Sequence, residues 1–135
     1  MAEKFESFAE FWPYYVKEHA QKSTRTTHAV GTTLALSAVA AALLLGKKKY
    51  LVLAPLAGYG FAWASHFFIE HNRPATFTYP RWSLLGDFVM LKKIFEGTMD
   101  EEVERVLKMY AEKDAAVAAK TGRDEAGAVH ASALN

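Results

Sequence analysis

Apolar and polar positions follow three different rhythms along this chain. Phe5, Phe8, Phe11, Trp12, Tyr15 and Val16 recur at helical spacing with Glu and Lys between them, which predicts an amphipathic helix with an aromatic face. The alternation then stops. Residues 29–46 and 50–69 contain no Asp, Glu, Lys or Arg, and the tripeptide Lys47-Lys48-Lys49 separates them. Periodicity returns with Leu84, Leu85, Phe88, Leu91 and Phe95, and again with Val103, Val106, Leu107 and Tyr110. The pattern predicts an all-α chain of about five helices. Its centre is an antiparallel hairpin of residues 24–46 and 50–71, turning at the lysines.

Punctuation places the ends. Pro13 should bend or divide the first helix, and Ser23 or Thr24 can cap the second. Asn72-Arg73-Pro74 stops the third, because the residue before a proline is pushed out of helical geometry. Pro80 or Arg81 opens the fourth and Gly97 ends it, while Thr98 and Glu101 have capping-box spacing for the fifth. Residues 1–121 read as a single domain. The Gly-, Ala- and Asp-containing stretch 122–135 reads as a disordered tail.

The two uncharged runs have nearly the ~20 residues that cross a bilayer's hydrocarbon core. Gly31, Ala35, Ala38 and Ala42 on the first, with Gly60 and Ala64 on the second, permit the close backbone approach that holds helices together in lipid. The alternative is a soluble bundle with a buried hairpin, but so short a chain could hardly cover both helices all round. The reading is therefore an integral membrane protein, of the bacterial inner membrane or the endoplasmic reticulum. The segment 80–95, too short and too charged at Lys92-Lys93 to span, reads as interfacial or re-entrant. Lysines mark the turn, yet Lys17, Lys22, Arg25, Arg73 and Arg81 flank the open end, which puts that end and both termini on the cytoplasmic side.

A net charge of +1 offers no basic face for nucleic acid, and the absence of cysteine excludes thiolate metal sites and disulfides. Met1 to Phe5 lacks the charged-then-apolar pattern of a leader, so no cleaved signal is expected. Oligomeric state stays open, a homo-oligomer included.

Candidate chemistry gathers at the open end. About a pivot at Lys48 the hairpin sets residue 28 opposite residue 68, so His28 and His66 come within about one helical turn of each other. Glu70 follows His66 by four residues on the same face, and a turn at residues 21–24 lets His19 fold back toward them. His19, His28, His66 and Glu70 are thus candidate metal ligands. Mixed imidazole and carboxylate ligation suits non-haem iron(II) and, less distinctively, zinc. Asp87, within an apolar run, is either a partner behind a ligating histidine or a helix cap. Arg73 could receive a carboxylate head group, pair with Glu70 or reach lipid phosphate. His71 should face away from His66, and His130 lies in the polar tail.

Phe11-Trp12-Pro13-Tyr14-Tyr15, the nine-residue step from His19 to His28, Ser65-His66-Phe67-Phe68-Ile69-Glu70 and Asn72-Arg73-Pro74-Ala75-Thr76-Phe77 carry a resemblance. From about Phe8 to Gly97 the chain resembles a small membrane-protein family, once a domain of unknown function, that includes the fungal 2-hydroxy fatty acid dioxygenase. The resemblance implies an iron(II)-dependent dioxygenase of fatty acid α-oxidation, taking a 2-hydroxy fatty acid and O₂ to a chain one carbon shorter plus CO₂. It carries over His19, His28 and His66, with Glu70 in the same block. Arg73 and Asn72, which follow that block, are expected to bind the substrate. A fatty-acid-like substrate, O₂ and membrane lipid are the expected partners. The rival expectations are another metal-dependent lipid enzyme, such as a hydroxylase or a zinc hydrolase, and a non-enzymatic membrane scaffold.

Overall fold

A computed structural model describes residues 4–132, with side chains through residue 122. Among these residues there are five α-helices and no strand: α1 Phe8–Lys17, α2 Lys22–Leu45, α3 Leu53–Ser65, α4 Pro80–Phe95 and α5 Met99–Ser132. The all-α expectation holds. The backbone of α5 is helical through Ser132, while most of the stretch read as a disordered tail, with His130, lies outside the described side chains.

The hairpin forms where the charge pattern places it. α2 ends at Gly46, whose left-handed backbone (φ 62°) suits glycine, and Lys47 leads into a short 3₁₀ turn, Lys48–Val52. Pro55 has no N–H to reach back to the Leu51 carbonyl, which favours the tighter winding ahead of α3. The return segment continues through Ser65 into a π-turn, His66–Glu70. Lys22–Leu45 and Lys48–Glu70 are both long and apolar enough to cross a membrane. Only 22% and 17% of their apolar windows is buried inside the chain. A core helix of a soluble domain would be covered, whereas here Leu44 is 85% exposed and Phe68 78%.

Close packing of the pair depends on Gly31. A Cβ built there would stand 2.7 Å from the Phe61 Cβ and 3.0 Å from the Ala57 carbonyl oxygen. Gly58 has ordinary room and Gly60 faces open space, so the small residues are not equivalent.

The remaining helices close the open end. α1 stays whole despite Pro13, because the ring leaves without a donor only the carbonyl of exposed Ala9. Its aromatic face is the centre of a core: Phe11, Tyr15 and Val16 are buried against Met90 of α4 and Met99, Val103 and Val106 of α5. α1 therefore lies over the open end. α4 packs along α2 and turns Leu84, Leu85 and Phe95 outward. The Trp12 indole N–H donates to Glu102 Oε1 at 2.7 Å, and Arg105 pairs with the same carboxylate. The start of α2 departs from expectation. Ser23 and Thr24 lie inside the first turn, and the N-cap is Gln21, which has no capping side-chain bond of its own.

Gly31→Ala should force α2 and α3 apart and cost about 1–3 kcal/mol, whereas Gly60→Ala should be near neutral. Thermal unfolding of the detergent-solubilised variants checks this. A second expectation concerns Glu102. Its hydrogen bonds from Arg105, and then from Trp12, hold its pKa at about 2 against an ordinary 4.5. Its contribution to docking α5 on α1 is therefore fully present above pH 4.5 and lost as pH falls through about 2. Trp12 fluorescence should report that loss, and Glu102→Gln should abolish the dependence.

Candidate metal centre

Three histidines from three elements meet beneath α1. His19 follows the end of α1, His28 lies on the second turn of α2, and His66 opens the π-turn after α3. All three are buried, at 1%, 4% and 2% exposure. His19 Nε2 lies 3.3 Å from His28 Nε2 and 3.1 Å from His66 Nε2, and the three ligand atoms fall within 4.8 Å of one another. The rings are nearly perpendicular in pairs, at 79–86°.

Each ring is fixed from behind at Nδ1, and the partner dictates the tautomer. His19 Nδ1 is 2.6 Å from the Tyr15 carbonyl oxygen, which can only accept. His28 Nδ1 is 3.1 Å from Asp87 Oδ1, a carboxylate that also accepts from the Tyr15 hydroxyl. His66 Nδ1 is 2.7 Å from Asn72 Oδ1, and the Asn72 amide is oriented because its Nδ2 donates to the Glu18 carbonyl and carboxylate. The protons therefore sit on all three Nδ1 atoms, and three Nε2 lone pairs converge with no hydrogen among them. Burial, and then the two neighbouring imidazoles, push His19 well below its ordinary pKa and keep it neutral. Burial, and then the Asp87 carboxylate, raise the Tyr15 hydroxyl well above 10.0, so it remains a donor.

Converging lone pairs fit a cation. Two nitrogens bound to one ion at about 2.1 Å stand about 3.0 Å apart at a right angle and about 3.4 Å apart at the tetrahedral angle. The separations of 3.1 and 3.3 Å fall between these. His19, His28 and His66 would hold such an ion on one side.

Local structure explains how each ring arrives. The chain breaks after Glu18, and the Arg25 guanidinium closes the turn by donating to the carbonyls of His19 (2.9 Å) and Ala20 (2.6 Å) while pairing with Asp100 of α5 (2.7 Å). His19 stacks on Tyr15 with ring centroids 4.0 Å apart. At His66 the wider π-turn ends on His71 in the left-handed region (φ 58°), so the Asn72 N–H returns to the His66 carbonyl at 3.0 Å. Asn72 thus grips His66 by backbone and side chain together.

The other sequence-derived candidates land elsewhere. Glu70 is not brought into the cluster. Its carboxylate accepts from the Thr24 hydroxyl (2.6 Å) and the Gln21 N–H (3.2 Å), so it caps the start of α2, where free N–H groups favour negative charge. Asn72 has both side-chain groups committed to His66 and Glu18. Arg73 is exposed, with its guanidinium over the Phe77 ring at 5.5 Å. Asp87 stands behind His28, one of the two places the sequence left open for it, and His71 is exposed. Sequence reasoning missed Tyr15 and Arg25. Tyr15 precedes His19 by four residues on α1, a readable signal, whereas the reach of Arg25 to Asp100 exists only in the folded chain.

Alanine at His19, His28 or His66 should each abolish retention of a stoichiometric metal ion through chelator dialysis. Asn72→Ala and Asp87→Asn should retain the site with affinity lowered about 10–100-fold. Glu70→Gln should keep full stoichiometry and lower only thermal stability. Elemental analysis and metal titration separate these outcomes.

Comparison with known proteins places this centre in a family. Neither a curated protein nor a solved structure matches the chain. A family model described as 2-hydroxy-palmitic acid dioxygenase Mpo1-like matches residues 5–99, a stretch that includes all three histidines, Asn72 and Asp87. The chain belongs to the Mpo1-like family.

Proposed function

We propose that the protein is an iron(II)-dependent dioxygenase of the membrane that converts a 2-hydroxy fatty acid and O₂ into a fatty acid one carbon shorter, CO₂ and water. The observation that carries this reading is the set of three buried Nε2 lone pairs facing one another with every Nδ1 proton already committed. A structural role would pair these nitrogens with donors. The description of the family supports the substrate class, a 2-hydroxy acid with a long acyl chain. The two apolar helices, largely uncovered by the rest of the chain, supply a lipid setting for it. Lysine and arginine at the open end favour a cytoplasmic side for the termini.

Iron(II) bound to the three imidazoles would leave positions for the substrate's hydroxyl and carboxylate and for O₂, and would supply the redox chemistry. The protein's own groups do the rest. The Tyr15 carbonyl, Asp87 and Asn72 keep the imidazoles in one tautomer and orientation, so little reorganises on binding. Burial beneath α1 excludes bulk water from the reacting carbon. Arg73, one residue beyond Asn72, is the exposed cation that receives the carboxylate as the substrate arrives, while Asn72 itself serves His66.

Anaerobic reconstitution of detergent-purified protein with iron(II), then O₂ and a 2-hydroxy acid, should give equal amounts of CO₂ and the shortened acid. His28→Ala and His66→Ala should reduce turnover by at least about 10³-fold. Arg73→Ala should raise KM more than it lowers kcat. Stoichiometric zinc with no O₂ uptake would overturn the reading in favour of a hydrolase. Full biological function without any bound metal would overturn it in favour of a scaffold.

A further inference from the structure

Beside the histidine cluster the two spanning helices and α4 enclose a cavity of about 260 Å³. One end is polar. Thr32 lies four residues after His28 on the same face of α2, and Asp87 holds the His28 ring. From there the cavity follows α2 to Val39, about 10 Å along the helix axis. Apart from Tyr59 its other walls are apolar, Gly58 forms part of the α3 side, and Leu36 and Phe88 are partly exposed on the surface that lipid would cover.

We infer that this cavity is the acyl-chain site, and that Gly58 sets how long a chain it takes. The inference rests on the dioxygenase reading for the identity of the head group and on the cavity alone for the tail. The occupant must have a polar head, because one end is formed by Thr32 and by Asp87, the carboxylate that holds the His28 ring. It must have an apolar tail, because beyond that end every lining residue except Tyr59 is apolar. It can enter sideways from lipid past Leu36 and Phe88. Gly58 matters because of its surroundings. A Cβ there would meet only the Ala35 Cβ, at an ordinary 3.7 Å, so the backbone accepts a side chain whose bulk then occupies the cavity. Gly60, two residues on, faces open space and is the matched control.

The test uses the full chain in detergent and a long-chain fatty acid carrying a photoreactive diazirine near its methyl end, with labelled residues identified by peptide mapping. Label should concentrate on the cavity side, around Val39, and be displaced by unlabelled long-chain acid. Gly58→Leu should lower that labelling by about tenfold or more, while Gly58→Ala and Gly60→Leu keep it. With 2-hydroxy acids of increasing length, Gly58→Leu should also shift turnover toward shorter chains. Label spread over the outward residues Leu43, Leu44 and Leu56, and indifferent to Gly58→Leu, would overturn the inference. Cavity labelling without decarboxylation would uphold the acyl site while the reaction fails. Decarboxylation without cavity labelling would overturn the acyl site alone.

Discussion

Three imidazole nitrogens cannot be held face to face, buried and unprotonated, unless a cation lies among them or the chain forces them there. Here the chain does the forcing. Each Nδ1 has an acceptor it cannot exchange: a backbone carbonyl, a carboxylate already taking the Tyr15 hydroxyl, and an amide oxygen whose own N–H₂ is committed to Glu18. Those three acceptors come from α1, α4 and the loop after the π-turn. Four helices, α1 to α4, must therefore be in register before the cluster exists.

Much of the remaining architecture follows from that requirement. Gly31 lets the two long helices approach closely enough for His28 and His66 to share a site. Gly86 does the same for α4: a Cβ there would lie 2.8 Å from the Tyr15 ring, so only glycine leaves Tyr15 free to reach Asp87. The aromatic face of α1 seals the open end by packing on α4 and α5, which keeps the cluster dry while the hairpin turns apolar surface outward. A buried polar centre at the end of an apolar, largely uncovered hairpin suits the proposed substrate, with a carboxylate at one end and a hydrocarbon chain at the other.

Carboxylates are divided by a simple electrostatic competition. Glu70 has the right spacing to join His66, but the start of α2 presents free N–H groups and a Thr24 hydroxyl within reach, and the carboxylate goes there. The same bond explains why α2 needs no Ser or Thr cap of its own: the cap comes from the end of the return segment, beside it at the open end of the hairpin. Asp87, in an apolar run with no helix terminus to serve, is left to the histidine and the tyrosine.

Sequence alone determined the elements and the rough location of the site. Two uncharged runs either side of three lysines can only pair as a hairpin, and that symmetry sets His28 against His66 because helical rise is constant. The aromatic periodicity of residues 5–16 likewise required a covered face, and the family motifs singled out His19, His28 and His66, the three that the fold brings together. What only the tertiary structure decided were the quantities that depend on neighbours distant in sequence. It took a π-turn and a left-handed His71 to bring Asn72 back on His66, an arginine anchored to Asp100 to close the turn at His19, and a helix N-terminus to draw Glu70 away. Spacing along a helix says which side chains share a face. Which acceptor each one finds there is set by hydrogen-bond competition among helices that meet only after folding.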